Sequence, residues 1–307
     1  MYVFYAVVLF YDYKINKNLC NISSFSKKIS NFALMKLIAD SGSTKTDWCI
    51  FSEEDVLQKI TTNGINPYQL GIEEIEGIIK SELIEALRQR GLPTRFDAIE
   101  FYGAGCNSQK VPVMSELLGR LFPECQRITV DSDMLGACKA LCGNSEGICC
   151  ILGTGANSCL YNGSTITENV PPMGFILGDE GSGAVIGRTF VNEIYKGYHR
   201  DMIPLFEQET GLNAAIITQK VYRESMPGRF LASLNLFIGS HRREYVWLND
   251  MITECFRNFF RKNVRHYNRP DLAVSFVGSI AFHYQDLLKK AADLEGYEIG
   301  RIIKSPL

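Results

Sequence analysis

The chain has 307 residues, of which 46% are hydrophobic and 21% charged, enough to bury a sizeable core and form two domains. A net charge of -2 gives no basic surface for nucleic acid, so small molecules are the expected partners. Ten cysteines lack the paired C-x-x-C spacing of a zinc site. We interpret most of them as small buried side chains in a reducing environment, which predicts a cytoplasmic protein.

The first 34 residues differ from the rest. Met1–Phe10 is apolar but too short to span a bilayer, and no positively charged segment precedes it. Residues 14–34 show no clear periodicity. Because Met35 directly precedes the first convincing strand, we expect translation to start there and residues 1–34 to be an upstream extension outside the fold. The alternative is a weak membrane or export segment.

From Met35 the chain begins with a predicted β-hairpin. An apolar strand, Lys36–Ala39, delivers Asp40 into a turn formed by residues 41–46, and a second strand, Asp47–Phe51, follows at once. Such a tip presents backbone N–H groups and hydroxyls beside a carboxylate, which suits a magnesium-bound polyphosphate. It is not a P-loop, which lies between a strand and a helix. An ordinary polar hairpin is the alternative.

The elements that follow predict a mixed sheet. They are a strand at Val56–Thr62, an amphipathic helix at Ile72–Arg90, a strand at Ala98–Tyr102, a helix at Val113–Phe122, a strand at Arg127–Val130 and a helix that opens near Asp133. The order is βββαβαβα. Three antiparallel strands that continue into parallel βα units indicate a mixed sheet with helices packed on it.

The same order then restarts. Predicted strands at Gly147–Leu152, Ser158–Tyr161 and Ser164–Glu168 precede a helical half with helices at Glu180–Lys196, Leu234–Phe237, Tyr245–Tyr267 and Ile280–Leu294 and a strand at Leu272–Val277. The repeat predicts two related lobes, residues 35–141 and 142–307. We expect the ligand in a cleft between them.

Five motifs appear in order: DSGSTKTD at 40–47, VDSDMLGA at 130–137, LGTGAN at 152–157, GDEGSG at 178–183 and VGSI at 277–280. Together they resemble the N-acetylglucosamine kinase branch of the BadF/BadG/BcrA/BcrD ATPase family, from Met35 essentially to the end. The resemblance implies an α/β, two-lobed, actin-like ATPase fold of duplicated ribonuclease H-like domains with a nucleotide cleft. It also implies ATP and Mg²⁺ as cofactors, an amino sugar as substrate, no membrane association and a homodimer.

The resemblance implies that Asp133 is the general base that accepts the proton of the sugar 6-hydroxyl. Asp133 also reads as a helix N-cap, the position that Asp prefers, and Asp131 is a rival base. Asp40 would hold Mg²⁺, directly or through water. Ser41 stands where the family more usually has glycine, and it keeps a hydroxyl for hydrogen bonding.

The other site residues also follow from the resemblance. Phosphate and nucleotide contacts are assigned to Gly42, Ser43, Thr44, Lys45, Thr46, Gly153, Thr154, Gly155, Gly278 and Ser279. Sugar contacts are assigned to Asn66, Asp133, Ala156, Asn157, Met173, Gly174 and Asp179. Each has a structural alternative: the glycines can serve plain turns, Asn66, Asn157 and Asp179 can serve turns or caps, and Lys45 can be an exposed hairpin lysine.

Two functions of different classes remain open at this stage. The first is an amino-sugar kinase, with N-acetylglucosamine, glucosamine or N-acetylmuramic acid as substrate. The second is an ATP-hydrolysing, iron–sulfur activator of a 2-hydroxyacyl-CoA dehydratase-type enzyme, which needs cysteine thiolates at an interface. Because Cys149 and Cys150 lie inside an apolar strand, we favour the kinase. A nucleotide-binding regulator without turnover is a third possibility.

Overall fold

The computed structural model describes residues 34–52 and 55–307. The predicted upstream extension covers residues 1–34, and the alternative is a membrane or export segment. Residues 1–33 lie outside the described residues. The described chain forms two compact units. One contains the residues up to Gly143 together with Pro306–Leu307, and the other is Asn144–Ser305.

The first unit has the predicted βββαβαβα order. Its strands are β1 (Met35–Ser41), β2 (Lys45–Ser52), β3 (Asp55–Asn63), β4 (Ala98–Gly103) and β5 (Arg127–Ser132). Its helices are α1 (72–89), α2 (Lys110–Leu121) and α3 (Asp133–Cys142), and α1 comprises Ile72–Ile78, the π-helical Ile79–Ile84 and Glu85–Gln89.

The sheet of this unit has the order β3-β2-β1-β4-β5. β1 is antiparallel to β2 and parallel to β4, with Asp40 opposite Asp47 on one side and Tyr102 on the other. Alternation along β1 sends Leu37 into the main core with α1 and α2, and Ile38 into a smaller cluster with Tyr102 on the opposite face. Asp40 therefore lies on the face of Ile38.

Helix α3 covers that same face. It packs on β1, β4 and β5, and it comes so close to the sheet that a Cβ on Gly136 would lie 2.8 Å from the Cβ of Tyr102. Because Asp133 is the first residue of α3, its side chain and that of Asp40 belong to the same side of the sheet.

The second unit repeats the strand order of the first. Its strands are β6 (Glu146–Leu152), β7 (Ala156–Asn162), β8 (Ile166–Val170), β9 (Val274–Val277) and β10 (Ile299–Ile303), in the order β10-β9-β6-β7-β8. β6 is antiparallel to β7 and parallel to β9, as β1 is to β2 and β4. The duplication predicted from the sequence is confirmed.

The helices of the second unit surround a separate core. They are α4 (Gly174–Leu177), α5 (Gly183–Lys196), α6 (Ile203–Thr210), α7 (Ala214–Tyr222), α8 (Pro227–Ser233), α9 (Asn235–His241), α10 (Trp247–Lys262), α11 (Ser279–His283) and α12 (Gln285–Glu295), with single 3-10 turns at Arg200–Met202 and Val264–Tyr267. Phe190 of α5 and Phe256 and Phe259 of α10 pack on the buried side chains of β6.

Several predicted boundaries need correction. The third strand of the second unit begins at Ile166 rather than Ser164, and the helix predicted from Glu180 begins at Gly183. The helix predicted at Ile280–Leu294 is two helices, α11 and α12, because the helical backbone conformation is interrupted at Tyr284. Helices α6 to α8 and strand β10 were not predicted.

Candidate functional site

The hairpin turn at the end of β1 is closed by backbone hydrogen bonds. The N–H of Gly42 donates to the carbonyl of Lys45 over 2.9 Å, and the N–H of Gly64 donates to the carbonyl of Thr44 over 3.2 Å. A Cβ on Gly64 would lie 2.5 Å from the carbonyl oxygen of Gly42. Only glycine therefore fits at position 64, a requirement that the sequence analysis missed.

Beneath the turn, two hydroxyls are fully buried. The Oγ of Ser41 lies 2.6 Å from the Oγ1 of Thr46 and donates to the carbonyl of Ile65 over 2.8 Å. The N–H of Ile65 donates to Thr46 Oγ1 over 3.1 Å. The hydrogen-bonding role expected for Ser41 is confirmed, whereas the Thr46 hydroxyl holds the hairpin together and does not face outward as a phosphate ligand would.

Lys45 is tied to the sheet. Its Nζ lies 2.6 Å from Oδ2 of the buried Asp47, which also binds Lys59 Nζ at 3.1 Å and accepts from Thr61 at 2.8 Å. Burial acts to raise the pKa of Asp47, but these hydrogen bonds outweigh burial and hold the pKa below its ordinary value. The side chain of Lys45 remains 59% exposed, which agrees with the alternative interpretation of an exposed hairpin lysine.

Asp40 and Asp133 form the acidic centre of the first unit. Burial raises the pKa of Asp40 from 3.8 to about 7, and the charges of Asp133 and Asp47 add to the rise. Burial also raises the pKa of Asp133, to about 6, although it accepts a 2.9 Å hydrogen bond from the N–H of Met134. Asp40 and Asp133 are nevertheless not fully buried as residues.

The capping alternative for Asp133 is wrong. The N-cap of α3 is Ser132, whose hydroxyl accepts from the N–H of Leu135 over 3.2 Å. Asp131, the rival base, accepts from the adjacent Ser132 N–H over 2.8 Å. Asp133 is therefore not the N-cap, and its carboxyl instead accepts the N–H of Met134 in the first turn of α3.

Asn66 lies beside the hairpin turn in a fixed orientation. Its Nδ2 donates to Ser43 Oγ over 2.8 Å, and its Oδ1 accepts from the N–H of Tyr68 over 3.0 Å. Gly105, in the turn after β4, has φ +77° and approaches so closely that a Cβ would lie 2.0 Å from Asn66 Oδ1. The structure therefore joins Ser43 and Asn66, and it identifies Gly105 as a supporting residue that the motifs did not indicate.

In the second unit, the turn 153–155 rests on the start of α5. The N–H of Gly183 donates to the carbonyl of Gly153 over 2.8 Å, and the N–H of Ala184 donates to that of Thr154 over 3.1 Å. A Cβ on Gly153 would meet nothing within 4 Å, so its backbone faces open space. The turn is also closed by the N–H of Gly153, which donates to the carbonyl of Gly155 over 3.0 Å, and its residues are partly exposed.

Gly278 lies directly behind this turn. Its φ is +127°, and a Cβ would lie 2.2 Å from the carbonyl oxygen of Leu152, so glycine is required by the fold itself. Gly278 precedes the short helix α11 (Ser279–His283), whereas the sequence predicted one long helix, Ile280–Leu294, after it. Ser279 is exposed as the first residue of α11.

Asp179 contacts the first residue of β7, Ala156, and Asn157 is the next residue of that strand. Asp179 has φ +52° and accepts a hydrogen bond from the N–H of Ala156, while burial raises its pKa to about 6. Asn157 lies in β7, where its Oδ1 accepts from Ser158 N–H and from Asn169 Nδ2, both over 2.9 Å. The turn expected for Asn157 is therefore wrong.

The capping role considered for Asp179 is also wrong, because Ser182 caps α5 by accepting from Val185 N–H over 3.2 Å. Met173 and Gly174 begin the exposed segment before Asp179, and both have positive φ. The N–H of Asp179 donates to the carbonyl of Pro172 over 2.8 Å, which closes this segment into a compact loop. Of the predicted sugar residues, Met173, Gly174 and Asp179 thus share one loop, and that loop contacts Ala156 through Asp179.

Across 34–52 and 55–307, no group of three or more His, Cys, Asp or Glu side chains is arranged to hold a metal ion. None of the helices in these ranges combines the length and apolar character that crossing a membrane requires. Magnesium commonly uses only one or two carboxylates and keeps several waters, a requirement that a single carboxylate such as Asp40 can meet.

Two five-stranded mixed sheets of the same topology, each with helices, define an actin-like ATPase fold. A family model for BadF/BadG/BcrA/BcrD ATPases matches residues 39–193. A solved structure of a putative N-acetylglucosamine kinase from Porphyromonas gingivalis is 46% identical, with a TM-score of 0.83 over 89% of this chain and 95% of that chain. The protein belongs to the BadF/BadG/BcrA/BcrD ATPase family.

More distant structures agree on the fold alone. A putative N-acetylglucosamine kinase from Chromobacterium violaceum is 18% identical, with a TM-score of 0.66 over 87% of this chain and 95% of that one. A ROK family glucokinase from Streptomyces griseus, in complex with glucose and AMPPNP, is 16% identical, with a TM-score of 0.52 over 89% and 95% of the two chains. The comparison with curated protein sequences gives no match.

Proposed function

We propose that the protein is an ATP-dependent amino-sugar kinase that converts N-acetylglucosamine and ATP into N-acetylglucosamine 6-phosphate and ADP. The observation that carries the proposal is the state of Asp133: a partly buried carboxyl at the end of β5, free of the cap, with a pKa near 6. The 46% identity to the Porphyromonas gingivalis protein supports the same reaction.

Asp133 has the properties of a general base for this reaction. With a pKa of about 6, the carboxyl is ionised at neutral pH and is a stronger base than an ordinary aspartate, whose pKa is about 3.9. It would accept the proton of the 6-hydroxyl as that oxygen attacks the γ-phosphorus. Phosphoryl transfer depends mainly on positioning and charge neutralisation, so one base of this kind is sufficient.

The residues around the two turns suit a polyphosphate. In the first unit, the turn of Gly42, Ser43 and Thr44 begins two residues after Asp40 and carries two hydroxyls, and in the second unit a Cβ on Gly153 would meet nothing within 4 Å, which leaves space for an oxyanion beside that turn. Bound ATP with Mg²⁺ supplies the phosphoryl group and neutralises its charge. Asp40 is the residue we assign to the metal ion, directly or through its water.

The sugar contacts are assigned to polar side chains whose orientation the fold fixes. Asn66 in the first unit and Asn157 in the second are held by hydrogen bonds to neighbouring groups, and Asp179 is fixed by its backbone and by Ala156. Preset partners of this kind discriminate strongly against a sugar that lacks the matching hydroxyl, because they are then left unpaired.

The burial of the cysteines bears on the iron–sulfur alternative. Cys149 and Cys150 are fully buried in β6, and burial raises the pKa of Cys106 to about 12 and that of Cys255 to about 11. Thiols in such surroundings resist ionisation, whereas ligation of an iron–sulfur cluster requires the ionised thiolate. These observations favour the kinase.

The test is ATP-dependent phosphorylation of N-acetylglucosamine, glucosamine, N-acetylmuramic acid and glucose by the wild type, Asp133→Asn and Asp131→Asn. We expect turnover on N-acetylglucosamine, a loss of about 10²–10⁴-fold in kcat for Asp133→Asn, and near-normal rates for Asp131→Asn. The binding of ATP and sugar by Asp133→Asn, measured by calorimetry, should be retained. Absence of turnover on all four sugars, with ATP hydrolysis that no sugar changes, would refute the kinase.

A further inference from the structure

The residue after Asp179 makes contacts that the proposed reaction does not use. One carboxylate oxygen of Glu180 lies 3.2 Å from Lys262 Nζ, and the other accepts from Asn263 Nδ2 over 3.4 Å. Asn263 is only 6% exposed, and its amide also donates to the carbonyl of Phe259 over 3.3 Å. Glu180 therefore ties the loop that carries Asp179 to the C-terminal end of α10.

The loop needs such a tie because its backbone is unfavourable. Asp179 has φ +52°, in the left-handed region that residues with a side chain adopt only where the surrounding structure holds them. On the N-terminal side, the guanidinium of Arg188 donates to the carbonyls of Phe175 and Ile176. On the C-terminal side, Glu180 supplies the equivalent anchor. Asp179 is held between these two side-chain contacts.

We propose that Glu180, held by Lys262 and Asn263, is a positioning residue that keeps the Asp179 carboxyl on the N–H of Ala156 and ready for the sugar hydroxyls. The inference rests on the proposed function for the identity of the ligand, and it deepens that function by naming a residue that acts on sugar recognition through another. Glu180 itself contacts neither reactant in this scheme.

The surroundings of Glu180 decide which substitutions can test it. A groove of about 650 Å³ borders the loop, and its lining includes Glu180, Lys262 and Trp247. Lys262 is 63% exposed. Glu180 lines this groove, but its side chain is only 17% exposed, so Glu180→Gln, which keeps the side-chain volume, is needed beside a truncated variant.

Charge and positioning can be separated by two substitutions. Glu180→Ala removes the charge and both hydrogen bonds, whereas Glu180→Gln removes the charge but keeps an oxygen for Asn263. The Glu180 charge contributes to the raised pKa of Asp179, after burial. Loop segments 153–157 and 172–178 carry no charged side chain, Arg188 is committed to backbone carbonyls, and Glu254 of α10 is paired with Arg257 and Arg261.

The experiment measures KM for N-acetylglucosamine and for ATP in the wild type, Glu180→Ala, Glu180→Gln and the control Glu224→Ala. Glu224 is a matched control because it also pairs with a lysine of this unit, Lys220, at the surface. We expect the sugar KM to rise about tenfold in Glu180→Ala, since small misplacements cost up to about 10²-fold. We expect Glu180→Gln to recover most of the loss, with the ATP KM unchanged throughout.

Equal sugar KM values in Glu180→Ala and Glu180→Gln would overturn the positioning role, and so would a parallel rise of both KM values. If the wild type phosphorylates no sugar, the proposed function fails while the positioning remains testable through hydrogen exchange of the Ala156 amide. Positioning by Glu180 predicts that this amide exchanges at least tenfold faster in Glu180→Ala than in the wild type or Glu180→Gln. Equal exchange in all three would reject it.

Discussion

Replacing Asp133 by asparagine is expected to stabilise the folded chain while it removes activity. Burial raises the pKa of the carboxyl from 3.8 to about 6, so ionisation at neutral pH costs the folded state free energy. At about 1.36 kcal/mol per pKa unit, this rise corresponds to about 3 kcal/mol at most. Asparagine carries no charge, and its Oδ1 can still accept the hydrogen bond from Met134.

The stability advantage of Asp133→Asn over the wild type must increase as pH rises. Below pH 3.8 the carboxyl is protonated in both the folded and the unfolded chain, so ionisation contributes no difference. As pH rises, the unfolded carboxyl ionises first, and the wild type loses stability until the folded carboxyl has ionised as well, above about pH 6. The advantage of Asp133→Asn should therefore be small near pH 4, grow through pH 6 and stay constant above about pH 7.

Urea denaturation of the wild type and Asp133→Asn at pH 4.5, 6 and 8 measures this advantage directly, with Asp131→Asn as the isosteric control. We expect Asp133→Asn to exceed the wild type by about 1–3 kcal/mol at pH 8, because buried active-site charges commonly trade stability for activity. An advantage that does not change with pH, or a variant less stable than the wild type at pH 8, would refute the electrostatic reasoning.

Two further substitutions test the framework of each unit. Gly105→Ala places a Cβ 2.0 Å from Asn66 Oδ1 at a positive φ, so we expect about 1–3 kcal/mol of lost stability and a raised sugar KM, measured by denaturation and steady-state kinetics. Tyr267→Phe removes the hydroxyl that lies 2.7 Å from the fully buried Ser158 Oγ, and the unpaired Ser158 should lower the free energy of unfolding by about 1–3 kcal/mol.

Matched controls separate these effects from general ones. Gly91 also has a positive φ, +63°, but a Cβ there would meet nothing within 4 Å, so Gly91→Ala reports backbone strain alone. Tyr222 is 78% exposed, so Tyr222→Phe should leave stability unchanged. If Gly105→Ala and Gly91→Ala behave alike, or Tyr267→Phe matches Tyr222→Phe, the contacts argued here do not carry the stability assigned to them.

Much of the fold could be predicted because its signals are local. The hairpin of β1 and β2, the helix at 72–89 and the restart at β6 each show their periodicity within a few residues. Strand β10 was missed because its pairing with β9 is irregular between Ile299 and Ile302, which breaks the alternation that marks a strand. Helices α6 to α8 are short, from seven to nine residues, and such segments give little periodicity to detect.

Only the site residues that lie within the recognisable motifs could be predicted from the sequence. Gly64 and Gly105 are required because distant backbone or side-chain atoms approach them, and no local pattern reveals such an approach. The capping alternatives were wrong for the same reason. Ser132 and Ser182 are the N-cap residues, and only the geometry shows that Asp133 and Asp179 are not. Glu180 belongs to a motif, but its partners on α10 lie far away in the sequence.

The aspartates of the two units differ in what the fold does to their charge. Asp47 is buried among lysines and a threonine that hold its pKa low, and such an acid stabilises the sheet. Asp40, Asp133 and Asp179 have pKa values raised by burial, so ionising any of them in the folded chain costs free energy. Strongly raised values of this kind cluster at functional sites. Bound reactants, through a cation or through sugar hydroxyls, would add partners to the backbone N–H groups that Asp133 and Asp179 already engage, which is the physical reason why we assign the chemistry to these carboxyls.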